Sequence, residues 1–251
     1  MRQVAREKEN NTAQRKKGKR SKLIPIIAAV LVLIGCGVIL YPTVEEYFYG
    51  QDIARQKQSF MDEITGSTGE DEAKLPFEEL YLMLKAENEK LYETGQAGLV
   101  DAFSYETVGV DLSAYGIKDD CIGFIRLPTI SIELPIYLGA NNENMRKGAV
   151  HLTQTSYPIG GENTNSVIAA HRGTTKVMFR NIHELKENDP IYITNFREEL
   201  VYRVVSTKII RPDDISQVLI QEGKDMLTLF SCNPIGSNYE RYVVYCERVN
   251  P

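Results

Sequence analysis

The chain has 251 residues, 43% of them hydrophobic, and a net charge of −5, enough for one fair-sized folded domain with appendages. The charge is uneven: residues 1–22 carry nine Lys or Arg against two Glu, a local +7 that leaves −12 for the remainder. A body this acidic is repelled by phosphate backbones, which argues against a nucleic-acid partner, and the 10 prolines argue against long uninterrupted helices over much of the chain.

The basic tail leads into Leu23–Tyr41, 19 residues without a charge. As a helix this run measures about 28 Å, close to the hydrocarbon thickness of a bilayer. A buried core helix is the bland alternative, but the run is apolar on every face. A cleaved leader usually has a shorter apolar region ending at a small-residue site, whereas this run passes into Tyr41-Pro42-Thr43-Val44-Glu45. The sequence therefore predicts an uncleaved transmembrane anchor over 23–41. The positive-inside rule puts residues 1–22 in the cytoplasm and the rest of the chain outside the cell membrane.

Beyond the anchor, 43–64 and 76–94 read as helices, the second with Leu80, Leu82, Met83, Leu84 and Leu91 on a rough helical period. A polar break, Thr65 to Asp71, separates them. They resemble a stalk, or equally simple solvated spacers. From about residue 120, short β-prone runs alternate with turns: 121–127, 131–137, 166–170, 190–194, 200–210, 226–232 and 242–249. Gly160-Gly161-Glu162-Asn163 and Arg211-Pro212-Asp213-Asp214 are turn clusters. Many short strands at this spacing predict a mainly β domain, a closed or nearly closed barrel. The expected divisions are a tail over 1–22, the anchor over 23–41, a helical stalk over 42–105 and a barrel over 106–251.

Three residues on these runs carry chemistry. Cys232 ends the run Thr228-Leu229-Phe230-Ser231-Cys232, before Asn233-Pro234. A lone cysteine is usually a buried, inert thiol, but one at a strand end before a proline loop can sit at a barrel rim. His171 ends the apolar run Val167-Ile168-Ala169-Ala170 and precedes Arg172-Gly173. An imidazole there can pass a proton near neutral pH, although a histidine taken alone is more often structural, as His151 and His183 are taken to be. Arg241 lies nine residues after Cys232, where another β-prone run begins. A hairpin between the two would return its guanidinium to the thiol, where it could hold a carbonyl or an oxyanion. Alone it would be a surface Arg paired with Glu240 or Glu247. No C-x-x-C pair supports a metal site, and nothing in the sequence calls for a cofactor.

Together these residues resemble the sortase family, in particular the class C or pilus-assembly sortases. The likeness spans roughly 76–249. It includes a TLxTC-like motif at Thr228–Cys232, a CxPxGxNxxR pattern with Pro234, Gly236, Asn238 and Arg241 in place, and the stretches Gly148–Leu152, Ser156–Thr164 and Ala170–Gly173. It implies an eight-stranded β-barrel with Cys, His and Arg at one rim. It also implies a cysteine transpeptidase: Cys232 would attack the Thr–Gly bond of an LPxTG-like sorting signal, and an amine would release the thioacyl intermediate. His171 would serve as acid and then base, and Arg241 would stabilise the acyl region. In class C the amine is typically a lysine of another pilin; attachment of surface proteins to the cell wall, as in housekeeping sortases, is the alternative.

The chain departs from the class C pattern in three places. Its lid motif, Asp-Pro-aromatic, corresponds here to Asp101-Ala102-Phe103; Asp101 and Phe103 are expected to form the lid, less rigidly, because Ala leaves φ free. Ser231 replaces the usual Thr. The sequence ends at Arg248-Val249-Asn250-Pro251, where many class C members have a second membrane segment, which weakens polymerisation relative to housekeeping anchoring but leaves a pilin lysine the first expectation. Two other classes stay open: a cysteine protease that hydrolyses its acyl-enzyme, and an anchored β-domain that only binds partners. Cys36 lies in the anchor. Three cysteines outside the membrane leave at least one free thiol, and Cys121 and Cys246 are either a disulfide or two unpaired thiols.

Overall fold

The computed structural model describes residues 2–66, 74–97, 99, 110–117, 120–173 and 177–249. The chain divides into two compact units, 1–49 and 50–251. The first is helical. Helix α1 runs Arg2–Gly66 through Pro25 and Pro42, so the prolines do not break it as the composition led one to expect, and the segments read as 23–41 and 43–64 are one element. Its side chains from Ile24 to Leu40 are exposed, Leu31, Leu33 and Ile39 among them. Ile24–Thr65 contains a stretch long and apolar enough to cross a membrane.

In the second unit, the end of α1 and helix α2 (Lys74–Glu93) pack on a β-barrel. Ile53 and Phe60 of α1 are buried. Phe60 meets Phe124 edge-on at 5.5 Å, and Lys57 pairs with Glu133. In α2, Leu80, Leu84 and Asn88 stand four residues apart on one face, and all three are buried. Asn88 makes two bonds to the backbone of one residue: its Oδ1 accepts from Tyr157 N at 2.7 Å and its Nδ2 donates to Tyr157 O at 3.3 Å. In the turn after α2, Gln96 Oε1 accepts from Ile220 N at 2.7 Å. Leu99 then enters the core beside Ala169, Phe230 and Val243.

The barrel has eight strands: β1 (Cys121–Leu127), β2 (Ile132–Leu138), β3 (Ala149–His151), β4 (Thr164–Ala169), β5 (Pro190–Asn195), β6 (Glu199–Ile210), β7 (Asp225–Asn233) and β8 (Glu240–Arg248). They close in the order β1-β2-β3-β4-β7-β8-β6-β5, so every edge among them is paired. Two pairings are parallel, β2 with β3 and β4 with β7. Seven strands match the predicted runs to within a few residues; β3 and the short helix α3 before it (Asn142–Lys147) do not appear among them. Met226 to Ser231 of β7 are buried without alternation, because the barrel interior takes one face and residues outside the sheet, Leu99 and Val218 among them, cluster with Phe230 on the wall. Two polar side chains on this wall bond internally: Thr228 Oγ1 donates to Asn165 Oδ1 at 2.8 Å, and Asn165 Nδ2 to Val218 O at 3.0 Å.

Candidate active site

The parallel register of β4 and β7 brings both C-terminal ends to one rim. Thr164 lies opposite Asp225, and Ala169 opposite Phe230. The pairing continues past the strand: Ala170 N donates to Phe230 O at 3.3 Å, and Ser231 Oγ donates to Ala170 O at 2.8 Å. His171 and Cys232 are the next residues on these two walls. β8 then returns antiparallel to β7 with Cys232 directly opposite Arg241. The three residues singled out in the sequence therefore stand on three adjacent strand ends. The hairpin inferred for Arg241 exists in that register.

Each side chain is held differently. Cys232 is a free, half-buried thiol. His171 is exposed, and its carbonyl accepts from Phe179 N at 3.0 Å. Arg241 is only 8% exposed. Its Nη1 donates to the carbonyls of Asn238 at 2.8 Å and Glu240 at 3.0 Å. The loop that supplies those carbonyls turns at Gly236, whose φ of 75° is one that side chains rarely adopt, and Ser237 N closes the turn on Pro234 O at 3.0 Å. Chemically, a thiol can act as a nucleophile, an imidazole can carry a proton and a guanidinium can face an oxyanion, and this rim holds one of each.

One member of this rim was not among the predicted site residues. Arg172, 6% exposed, lies beneath it. Its Nη1 donates to Asn233 Oδ1 at 2.7 Å and Cys232 O at 3.4 Å, and its Nε donates to Arg180 O at 3.3 Å. Its guanidinium carbon lies 5.2 Å from the Tyr242 ring centroid. Burial draws its pKa below the usual arginine value, and Tyr242 and Cys232 oppose that. The sequence hint was only its place beside His171; an Arg reads as a surface charge until the fold buries it.

Asp101 and Phe103 lie outside the described residues. Neither Cys121 nor Cys246 is in a disulfide among the described residues. In the closed order β5 and β6 separate β1 from β8 on one side, so these two cysteines are not on neighbouring strands. Burial pushes the Cys246 thiol well above its ordinary pKa, which leaves it an inert core residue.

The Sortase domain family matches residues 125–249, and a solved structure titled "Pilus-related Sortase C of Group B Streptococcus" is 32% identical, with a TM-score of 0.67 over 77% of this chain and 97% of that one. The chain belongs to the sortase family. Another solved sortase, sortase C from Clostridium perfringens SM101, is 30% identical with a TM-score of 0.64, covering 78% of this chain and 99% of that one. Among curated relatives, Sortase D of Bacillus subtilis (strain 168) is 35% identical over 130 residues, and Sortase A of Bacillus anthracis 33% over 128. Each match covers 51% of this sortase, but only 63% and 59% of those relatives' own length.

Proposed function

We propose that this sortase is a membrane-anchored cysteine transpeptidase with Cys232 as nucleophile. The observation that carries the reading is the pairing of Cys232 with Arg241 across β7 and β8, with His171 at the end of the adjoining parallel strand. The Cys232 Sγ attacks the Thr carbonyl carbon of an LPxTG-like signal, and Arg241 donors hold the oxygen as it gains charge. His171 gives a proton to the departing glycine amine as the C–N bond breaks, leaving a thioester. An incoming amine attacks that thioester, His171 takes its proton, and the thiol is released as the new amide forms. The apolar stretch in α1 and the +7 tail support an uncleaved anchor with the N-terminus inside and the barrel outside.

The solved relatives titled sortase C, one of them pilus-related, support a pilin lysine as the acceptor amine. The curated relatives named Sortase A and Sortase D favour a second reading, attachment of surface proteins to the wall. The experiment is mass spectrometry of a labelled LPxTG-type protein joined to its acceptor, with and without an amine. Wild type should form the amide product and Cys232→Ala none. A product that is only hydrolysed, with no gain from the amine, would instead make this a protease, and a lysine isopeptide or a wall-precursor linkage separates the two acceptor readings. Asp101 and Phe103 are proposed as the lid, supported by Leu99 seated two residues earlier beside Ala169 and Phe230. Phe103→Ala should then speed alkylation of Cys232 by iodoacetamide, and an unchanged rate removes the lid.

A further inference from the structure

We propose that Arg172 is a positioning residue that fixes the Cys232–Asn233 backbone between His171 and Arg241. The proposal rests on reading Cys232 as the nucleophile. Arg172 follows His171 directly, so its backbone moves with the strand end that carries the imidazole. Its guanidinium reaches the other two walls of the rim. It bonds the carbonyl of Cys232 itself and the side chain of Asn233, and it lies against Tyr242, the residue after Arg241.

The connection does not stop at Asn233. Asn233 Nδ2 donates to Glu240 Oε2 at 2.9 Å, and the Glu240 carbonyl accepts from Arg241 Nη1 at 3.0 Å. One chain of contacts therefore runs Arg172, Asn233, Glu240, Arg241, and it passes through the side chain of the residue next to Cys232. Asn233 is the hinge of this chain, since its oxygen faces one arginine's donors and its nitrogen the Glu240 carboxylate. The amide orientation follows from those two charged partners.

Burying a guanidinium is costly unless its donors are met. Here Nε and Nη1 are met by acceptors on two segments: the Arg180 carbonyl on one, and the Cys232 carbonyl and Asn233 side chain at the end of β7 on the other. A planar fork can bridge such acceptors, and a lysine, with a point charge on a flexible stem, cannot. What Arg172 supplies is alignment. Reaction rate is sensitive to displacements of about 1 Å at the reacting atom, and the Cys232 carbonyl is on the same residue as the attacking sulfur.

The test uses the full-length chain in detergent micelles with a labelled LPxTG-type peptide and an alkylamine acceptor. Arg172→Lys and Asn233→Ala are each expected to lower kcat about tenfold or more, with KM changed by less than about threefold. The double variant should be no worse than about twofold below the poorer single, because both break the same link. If Arg172→Lys folds poorly, Asn233→Ala at the half-buried strand end decides the matter alone. A kcat within twofold of wild type in Asn233→Ala, fully additive losses, or a loss in Arg172→Lys that disappears when rates are scaled to the folded fraction would each overturn the proposal. Cys232→Ala is run beside them. If it still joins peptide to amine, the nucleophile reading itself has failed; if it is inactive while the Arg172 and Asn233 variants are normal, only the positioning role has failed.

Discussion

His151 closes β3 inside the barrel wall, fully buried. Its ring stacks on Tyr157 at 5.1 Å. Nε2–H donates to Ser156 O at 2.9 Å, and Nδ1 meets no acceptor among the described residues. A second proton would have to sit on Nδ1 in an apolar setting, so burial draws the pKa from 6.5 down to about 4. The unfolded chain then binds a proton that the folded one refuses between those values, and stability falls as pH drops from about 6.5 to about 4 and no further. The loss from this residue is about 3 kcal/mol. Denaturant melts at pH 7.5, 6, 5 and 4 should show that decline in wild type and a flatter curve in His151→Gln. Equal slopes in the two proteins would remove His151 as the cause. The same burial keeps His151 from the role proposed for His171: one is sealed in the wall and the other is exposed at the rim.

Strands were the elements easiest to read, and the reasons are local. β-branched and aromatic residues with alternating burial mark β5, where Ile191, Ile193 and Asn195 are buried and the residues between them half-buried, as they do the start of β6. β3 escaped because three residues, Ala149-Val150-His151, are too few for any period to show. α3 escaped because Asn142-Glu143-Asn144-Met145-Arg146-Lys147 has no apolar face; its start is set by Asn141, whose side chain accepts from Asn144 N. α1 was read as two segments because Pro42 falls between them, yet the helix continues through it. β1 shows a constraint that composition hides. A Cβ on Gly123 would lie 2.3 Å from Thr194 O and 3.0 Å from the Asn195 Cα. Both are backbone atoms of β5, which cannot rotate aside. Gly123→Ala should therefore lose about 2 kcal/mol or more, read as a lower urea midpoint. A midpoint equal to wild type would mean that β1 and β5 separate there without penalty.

At the scale of the whole molecule, the unit from Gly50 onward has a continuous core and its own hydrogen-bonded closure, while the described apolar side chains from Ile24 to Leu40 stand exposed. Removal of residues 1–49 should leave a chain that remains in the supernatant after ultracentrifugation and melts cooperatively. The full-length chain should sediment with membranes or require detergent. Loss of cooperative melting on truncation would show that the barrel depends on the first unit. α2 belongs to the barrel unit for reasons the sequence showed only in part. Leu80 and Leu84 announced an apolar face, but the paired bonds of Asn88 to Tyr157, and of Gln96 to Ile220, join residues 69 and 124 positions apart.

By itself the sequence determined the apolar N-terminal run, the β-rich body and the family likeness, and it singled out Cys232, His171 and Arg241 as candidates, because each is written in a local run or a short motif. Only the tertiary structure decided what joins them. The order β4-β7-β8 pairs strands that β5 and β6 separate in the chain, and the Cys232–Arg241 register follows from the hairpin. Arg172 became part of the site only when that order buried it. A local pattern sets whether a segment is extended and which of its faces is apolar. Which strand it meets depends on the closure of the whole barrel, and no short stretch of sequence encodes that.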